Sequence, residues 1–280
     1  MIEQPFSDLD AWVAYFCQED IPVLRHTVQE LERLRADAEK VNGHVLAAVI
    51  LQDPLMTLRV LAYIEERRRK SQTTDITTIE RALLMIGVDP FFRDFQDLPL
   101  IEDRLIDHPS ALLGLLKTIS RARRSAHWAR DWAIFRHDVD VDEITVATLL
   151  YDIAEILMWL FAPTLALKVL QVQQNNRNRR SATIQHDIYG IPLFELKLRL
   201  IKAWHLPELL ATLVDDRSDS NPRVRNVKLA VDLARHSANG WDDAALPDDF
   251  KGICDLLHIS QPTLIHRLGI TEQSGAAEAN

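Results

Sequence analysis

VDEITVATLLYDIAEILMWLFAPTLALKVLQVQ, residues 141–173, is the stretch on which the fold turns. Asp142 leads into the apolar run EITVATLLYDIAEILMWLF, and Pro163 ends that helix while starting the next. Outward from this stretch the same punctuation recurs. Pro22 opens IPVLRHTVQELERLRAD, where Leu24, Val28, Leu31 and Leu34 follow the three-and-four spacing of one buried helical face. Asp53-Pro54 pairs an N-cap with a first-turn proline. Thr77 and Glu80 have the spacing of a capping box before RALLMIG, which Gly87 closes. Pro109-Ser110 starts the long segment ALLGLLKTISRARRSAHWARDWAIFR, and Pro192, Pro207 and Asn221-Pro222 open three more helices. Asp248 and Ser260 can cap two short ones. No stretch alternates apolar and polar residues with β-branched enrichment, so the expected class is all-α, a multi-helix bundle.

Composition agrees. The 280 residues carry 8 glycines, where an average chain of this length would have about 20. They are too dispersed for a glycine-rich phosphate loop, and neither G-x-G-x-x-G nor G-x-x-x-x-G-K-[ST] occurs. Cys17 and Cys254 are too few and too distant for a disulfide framework or a thiolate metal site, which points to a reducing, cytoplasmic setting. No run of 18 apolar residues predicts a membrane span, and MIEQPFSDLD lacks the basic start of a signal peptide. A net charge of −9 disfavours sequence-independent nucleic-acid binding. The most polar connections are 171–182 and 215–223, and the tail TEQSGAAEAN (271–280) is expected to be disordered.

Three segments resemble the HDOD family, a bacterial group of helical domains related to the HD metal-dependent phosphohydrolases. The first is IPVLRHTVQELERL with HVLAAVILQDPLMTLRVLAYI, in which Asp53, Pro54, Leu55 and Leu61 fit the family frame. The second is ITTIERALLMIGVDPF. The third runs from VDEITVATLLYDIAEILMWLFAP through YGIPLFELKLRLIKAWHLPELLATLVDD and is similar to the family's LLHDIG and W-x-L-P stretches. Together they span roughly residues 20–235. The resemblance implies an N-terminal extension (1–19), an HDOD domain (20–240) of N-terminal helices (20–105) on an HD-like core (110–240), and a C-terminal helix pair (241–270).

Catalytic relatives hold metal between a helix histidine, a His-Asp pair and a later aspartate, where a bound water becomes the nucleophile. Here LLYDIAEIL places Tyr151-Asp152 at the pair, and a neutral phenol is a poor ligand. Glu155 stands where the HD-GYP branch has lysine, Leu193 replaces a second histidine, Asp215-Asp216 replace later paired histidines, and Ala154 and Lys197 replace glycines. His127 fits the first histidine and Asp232 the last aspartate. The expected remnant is therefore a polar cluster of His127, Tyr151, Asp152 and Asp232, with no catalytic residue, metal or cofactor. The literal pairs His137-Asp138 and His186-Asp187 are decoys, and Glu143 spoils a calcium-loop reading of Asp138, Asp140 and Asp142.

Two other features compete with ordinary structural explanations. Arg67, Arg68, Arg69 and Lys70 form a possible anion-contact cluster, as do Arg121, Arg123 and Arg124, and Arg177, Arg179 and Arg180, although basic faces are commonly just solvated. FKGICDLLHISQPTLIHRLG (250–269) is similar to helix-turn-helix motifs, yet it has few cations for a phosphate backbone. The favoured expectation is a non-catalytic signalling or regulatory module that contacts a protein or senses a small ligand, with its working surface between the N-terminal helices and the HD-like helices. The alternatives are a residual phosphohydrolase using His127, Asp152 and Asp232, and a DNA-binding regulator using 250–269. Partner identity and oligomeric state stay open.

Overall fold

One carboxylate organises the N-terminal helices. The computed structural model describes residues 1–37, 41–68, 76–176, 179–215, 217 and 220–270. It begins with α1 (Leu9–Gln18), α2 (Arg25–Ala36), α3 (Gly43–Ile50), α4 (Pro54–Arg68), α5 (Ile79–Ile86), α6 (Val88–Asp94) and α7 (Ile101–Arg104). Asp53, fully buried, caps α4 as its Asp-Pro spacing predicts: Oδ1 accepts from Leu55 N at 2.9 Å and Met56 N at 3.2 Å. Its other oxygen reaches the start of α2, accepting from Leu24 N at 2.8 Å and Thr27 Oγ1 at 2.9 Å. Burial pushes this carboxyl up despite those four donors.

Two boundaries differ from the sequence reading. Helix α2 starts at Arg25, not Pro22, because Val23 is held extended: its N–H donates to Pro99 O and its carbonyl accepts from Ile101 N. This isolated Val23–Leu100 bridge is parallel, and no strand forms among the described residues. At α5 the capping side chain is Thr78, accepting from Arg81 N, while Thr77 donates instead to the Glu143 carboxylate at 2.9 Å.

The second half is built around α8 (Pro109–Phe135), a 27-residue helix. It is followed by α9 (Val141–Leu149), α10 (Ile153–Phe161), α11 (Pro163–Asn175), α12 (Ser181–Tyr189), α13 (Leu193–Ala203), α14 (Glu208–Val214), α15 (Pro222–His236), α16 (Leu246–Leu257) and α17 (Gln261–Arg267). Helices α9, α10, α11 and α15 all pack on α8. Helix α1 packs on α13, and Trp12 and Phe16 join Phe161 and Tyr189 in one aromatic cluster. Asp248 lies within the first turn of α16, which starts at Leu246, and Ser260 caps α17 as expected. The tail 271–280 lies outside the described residues.

The single helix expected over 143–161 is interrupted. Helix α9 ends at Leu149 and α10 begins at Ile153, with Tyr151 N donating to Thr148 O and Ile153 N to Leu150 O across the turn. Asp152 is the N-cap residue of α10, yet its carboxylate makes no hydrogen bond to that helix, because it is committed elsewhere. The span Val141–Phe161 is long and apolar enough to cross a membrane by composition, but it is buried among the other helices.

Close approach of α10 to α8 depends on Gly114. An added Cβ there would lie 2.6 Å from the Trp159 ring, itself buried. Alanine would gain about 1 kcal/mol in helix propensity, but overpacking of this kind costs about 1–3 kcal/mol. Gly114→Ala is therefore expected to leave the protein no more stable, and up to about 2 kcal/mol less stable, in urea unfolding. A gain near the full propensity value would show that the indole moves aside freely.

Candidate functional site

The break between α9 and α10 turns Asp152 inward, and two helices send cations to it. From α8, Arg121 donates through Nε at 3.1 Å and Nη2 at 2.9 Å to Oδ2 of Asp152, and Nη2 also reaches Glu155 Oε2 at 2.9 Å. From α15, Arg235 Nη2 donates to the other Asp152 oxygen at 3.3 Å, and its Nη1 lies 3.9 Å from Asp232 Oδ1. Thr118, one turn before Arg121, donates to Gly114 O at 3.0 Å and stands 3.4 Å from Glu155 Oε1. Lys197 of α13 is buried, with Nζ 3.3 Å from the centroid of the Tyr151 ring and 5.0 Å from that of Phe194. Three carboxylates (Asp152, Glu155, Asp232) thus face three cations (Arg121, Arg235, Lys197).

The electrostatics follow from this pairing. Burial pushes the Asp152 carboxyl up, but Arg121 and Arg235 outweigh it and hold the group below its ordinary value. Burial likewise pulls both guanidinium groups down, and the facing carboxylates more than restore them. At Asp232 burial outweighs the longer Arg235 contact, and the nearby Asp249 adds to it, so its carboxyl is raised. Across α15, His236 Nδ1 meets Asp249 Oδ2 at 2.6 Å and ties α16 to the core.

The expected cluster is assembled in part. Asp152 and Asp232 meet the same guanidinium, and Tyr151 lies beside them under Lys197. His127 does not join: it is exposed on α8, six residues beyond Arg121, which is about 240° around the helix. Arg121 and Arg235, the residues that complete the site, carried little signal. Arg121 reads as one member of a basic cluster, although its place among small and apolar neighbours, one turn after Thr118, marks it as inward-facing.

A metal does not fit this donor set. Ligation needs lone pairs converging on one point, and here both Asp152 oxygens are already covered by N–H donors. The one imidazole assigned to the site is exposed elsewhere, and among the described residues no three His, Cys, Asp or Glu side chains are grouped to hold an ion.

The remaining candidates are engaged in packing. Arg123 donates to Gln52 O in the turn between α3 and α4, and Arg124 donates to Ala234 O of α15 at 2.7 Å. Arg67 pairs with Asp94 at 3.0 Å and lies over the Tyr63 ring. Arg69 and Lys70, and the side chain of Arg68, lie outside the described residues, as do Arg177 and Asp216. Asp138, Asp140 and Asp142 pair separately with Arg136, Arg223 and Arg130, and Asp187 pairs with Arg179. A helix, a tight turn and a second helix do form here, with His258 in the left-handed region at φ 55°. However, Arg267 is tied to Asp131 at 2.8 Å and stacked on Phe135.

The HDOD domain family model matches residues 21–219. Among solved structures the chain is similar to the response regulator MmoQ from Methylococcus capsulatus str. Bath, at 18% identity over 90% of this chain and 98% of that one, with a TM-score of 0.69. It is also similar to a virulence factor from Campylobacter jejuni subsp. jejuni, at 16% identity over 98% and 99% of the two chains, with a TM-score of 0.70. At these identities the likeness concerns the fold. No curated protein gives a significant sequence match.

Removing Arg121 would leave Asp152 buried with a single long guanidinium contact. Arg121→Ala is expected to destabilise the protein by about 3–5 kcal/mol, the usual cost of breaking a buried pair from one side. A carboxyl with a depressed folded value contributes stability that is complete above its ordinary value of 3.8 and lost as pH falls through the folded one. Without Arg121 that depression is relieved and the acid-labile contribution goes with it, so the acid limb of the variant's stability, measured by urea unfolding and followed by circular dichroism, should be shallower than the parent's. An unchanged acid limb would mean that Arg121 does not charge-compensate Asp152.

Proposed function

The chain belongs to the HDOD domain family, and from that premise we propose that it is a non-catalytic signal-transduction or regulatory module, acting by contact with another protein or by sensing a small ligand. One observation carries the reading: at the position where HD phosphohydrolases ligate metal, Asp152 is held by the guanidinium groups of Arg121 and Arg235. Protein cations supply the positive charge that a metal would otherwise supply, and they leave no open position for a nucleophilic water. Lys197, buried against Tyr151, fills space that the family resemblance assigns to a glycine. The shared fold of a response regulator is in keeping with a signalling role.

The other two readings have less behind them. A residual phosphohydrolase would need His127, which faces away from Asp152. A DNA-binding role for 250–269 would need Arg267, which is already committed to Asp131 and Phe135.

The test is metal content and turnover together. Protein purified without chelator should hold far less than one equivalent of iron, manganese or zinc, and should turn over neither phosphomonoesters nor cyclic dinucleotides when those metals are added. Stoichiometric metal that is lost in a folded Asp152→Asn variant, or turnover abolished by it, would overturn the proposal.

A further inference from the structure

Away from the buried cluster, a cavity opens where three helix ends meet. The C-terminal ends of α8 and α16 close on the start of α15 and leave an open-mouthed space of about 430 Å³. Small-molecule pockets usually measure about 300–1,000 Å³. Part of the lining is apolar: Phe135 of α8, Pro222 of α15, and Leu256 and Leu257 of α16. Phe135 carries the Arg267 guanidinium at 4.5 Å and is still 39% exposed. The polar part comes from Arg136, Arg225, Asp255 and His258. Arg136 is committed, donating through Nη1 to Pro222 O at 3.1 Å and standing 3.3 Å from Asp138 Oδ2. Arg225 and Asp255 are not: neither has an ion-pair partner among the described residues, and they do not pair with each other.

These charges select the ligand. A neutral molecule would take water from both groups and leave each without a partner. A simple anion suits Arg225 and the positive start of α15, but it would face the Asp255 carboxylate. A simple cation suits Asp255 and the negative ends of α8 and α16, but it would face Arg225. A molecule with one charge of each sign matches both, and the apolar lining calls for an apolar body between them. We propose that this cavity binds a free amino acid with an apolar side chain. Its carboxylate meets Arg225, its ammonium meets Asp255, and its side chain lies against Phe135, Leu256 and Leu257. Arg136 is roughly 20 Å along α8 from Arg121, so the cavity is separate from the Asp152 cluster. It is nevertheless built on α8 and α15, the two helices that clamp Asp152.

The amino acid would be the ligand in the small-molecule form of the proposed regulatory role, on which it rests. Binding is measured on the full chain by titration calorimetry with L-leucine and L-phenylalanine. At least one should bind with a dissociation constant below about 1 mM, as expected for a ligand of this size in a formed pocket. The corresponding acid without its amino group, and the corresponding amide without its carboxylate, should each bind at least tenfold more weakly, because each leaves one pocket charge unpaired. Arg225→Ala and Asp255→Asn should each weaken the parent amino acid at least tenfold without lowering the thermal melt, since neither side chain has an ion pair to lose. No saturable binding of either amino acid would overturn the proposal. So would equal binding of the deaminated acid, which would mark a plain anion site, or binding indifferent to both substitutions. The titrations involve neither metal nor turnover, so their failure would leave the non-catalytic reading standing.

Discussion

The buried Asp152 carboxylate is the constraint from which the second half of the molecule follows. A charge this well shielded from water requires compensation, and here that comes from guanidinium groups on two different helices. Meeting it sets the rotation of α8 through Arg121 and of α15 through Arg235. It also explains the interruption between α9 and α10: an unbroken helix would leave Asp152 on the wall of a cylinder, whereas the turn at Leu150–Asp152 directs the carboxylate between α8 and α15. Lys197 adds a third positive charge and covers Tyr151, closing the site from α13.

Comparison with Asp53 separates two ways of burying a carboxylate. Asp53 accepts four hydrogen bonds, all from neutral backbone or hydroxyl donors, and burial still raises it. Asp152 accepts fewer, but from cations, and it is lowered. Neutral donors satisfy the lone pairs without offsetting the loss of solvation, and a guanidinium does both. Asp53 therefore ties the start of α2 to the start of α4, whereas Asp152 joins α8, α10 and α15 through charge.

The parts of this architecture that were legible in the sequence are the local ones. Asp53-Pro54, Pro109, Pro163, Asn221-Pro222 and Ser260 mark helix starts through their own backbone chemistry, and the structure places helices behind each. Legibility fails where a tertiary partner decides. Val23 is extended because it pairs with the distant Leu100 segment, and Thr77 turns to Glu143, leaving the cap to Thr78. The site divides the same way. Motif spacing found Tyr151, Asp152 and Asp232, and the oddity of Lys197 in a glycine slot. It could not find Arg121 or Arg235, since an arginine joins a buried carboxylate through the packing of whole helices. It also placed His127 wrongly, because a histidine near the right position on a long helix says nothing about which face it occupies.

Helix α8 links the buried cluster to the outer surface. Arg121 is fixed to Asp152, so the rotation that aims it there also decides which α8 residues face outward. With Arg121 fixed, Leu113 and Leu116 are presented to solvent, while Gly114 and Leu115 face the core. A buried ion cluster is a costly way to gain stability, since well-packed apolar side chains often do as well. What such a cluster can add is specificity for one register of the helices that supply it. In a chain whose site is filled by its own cations, that restriction offers a physical reason to keep the cluster: it fixes which residues of α8 and α15 face outward.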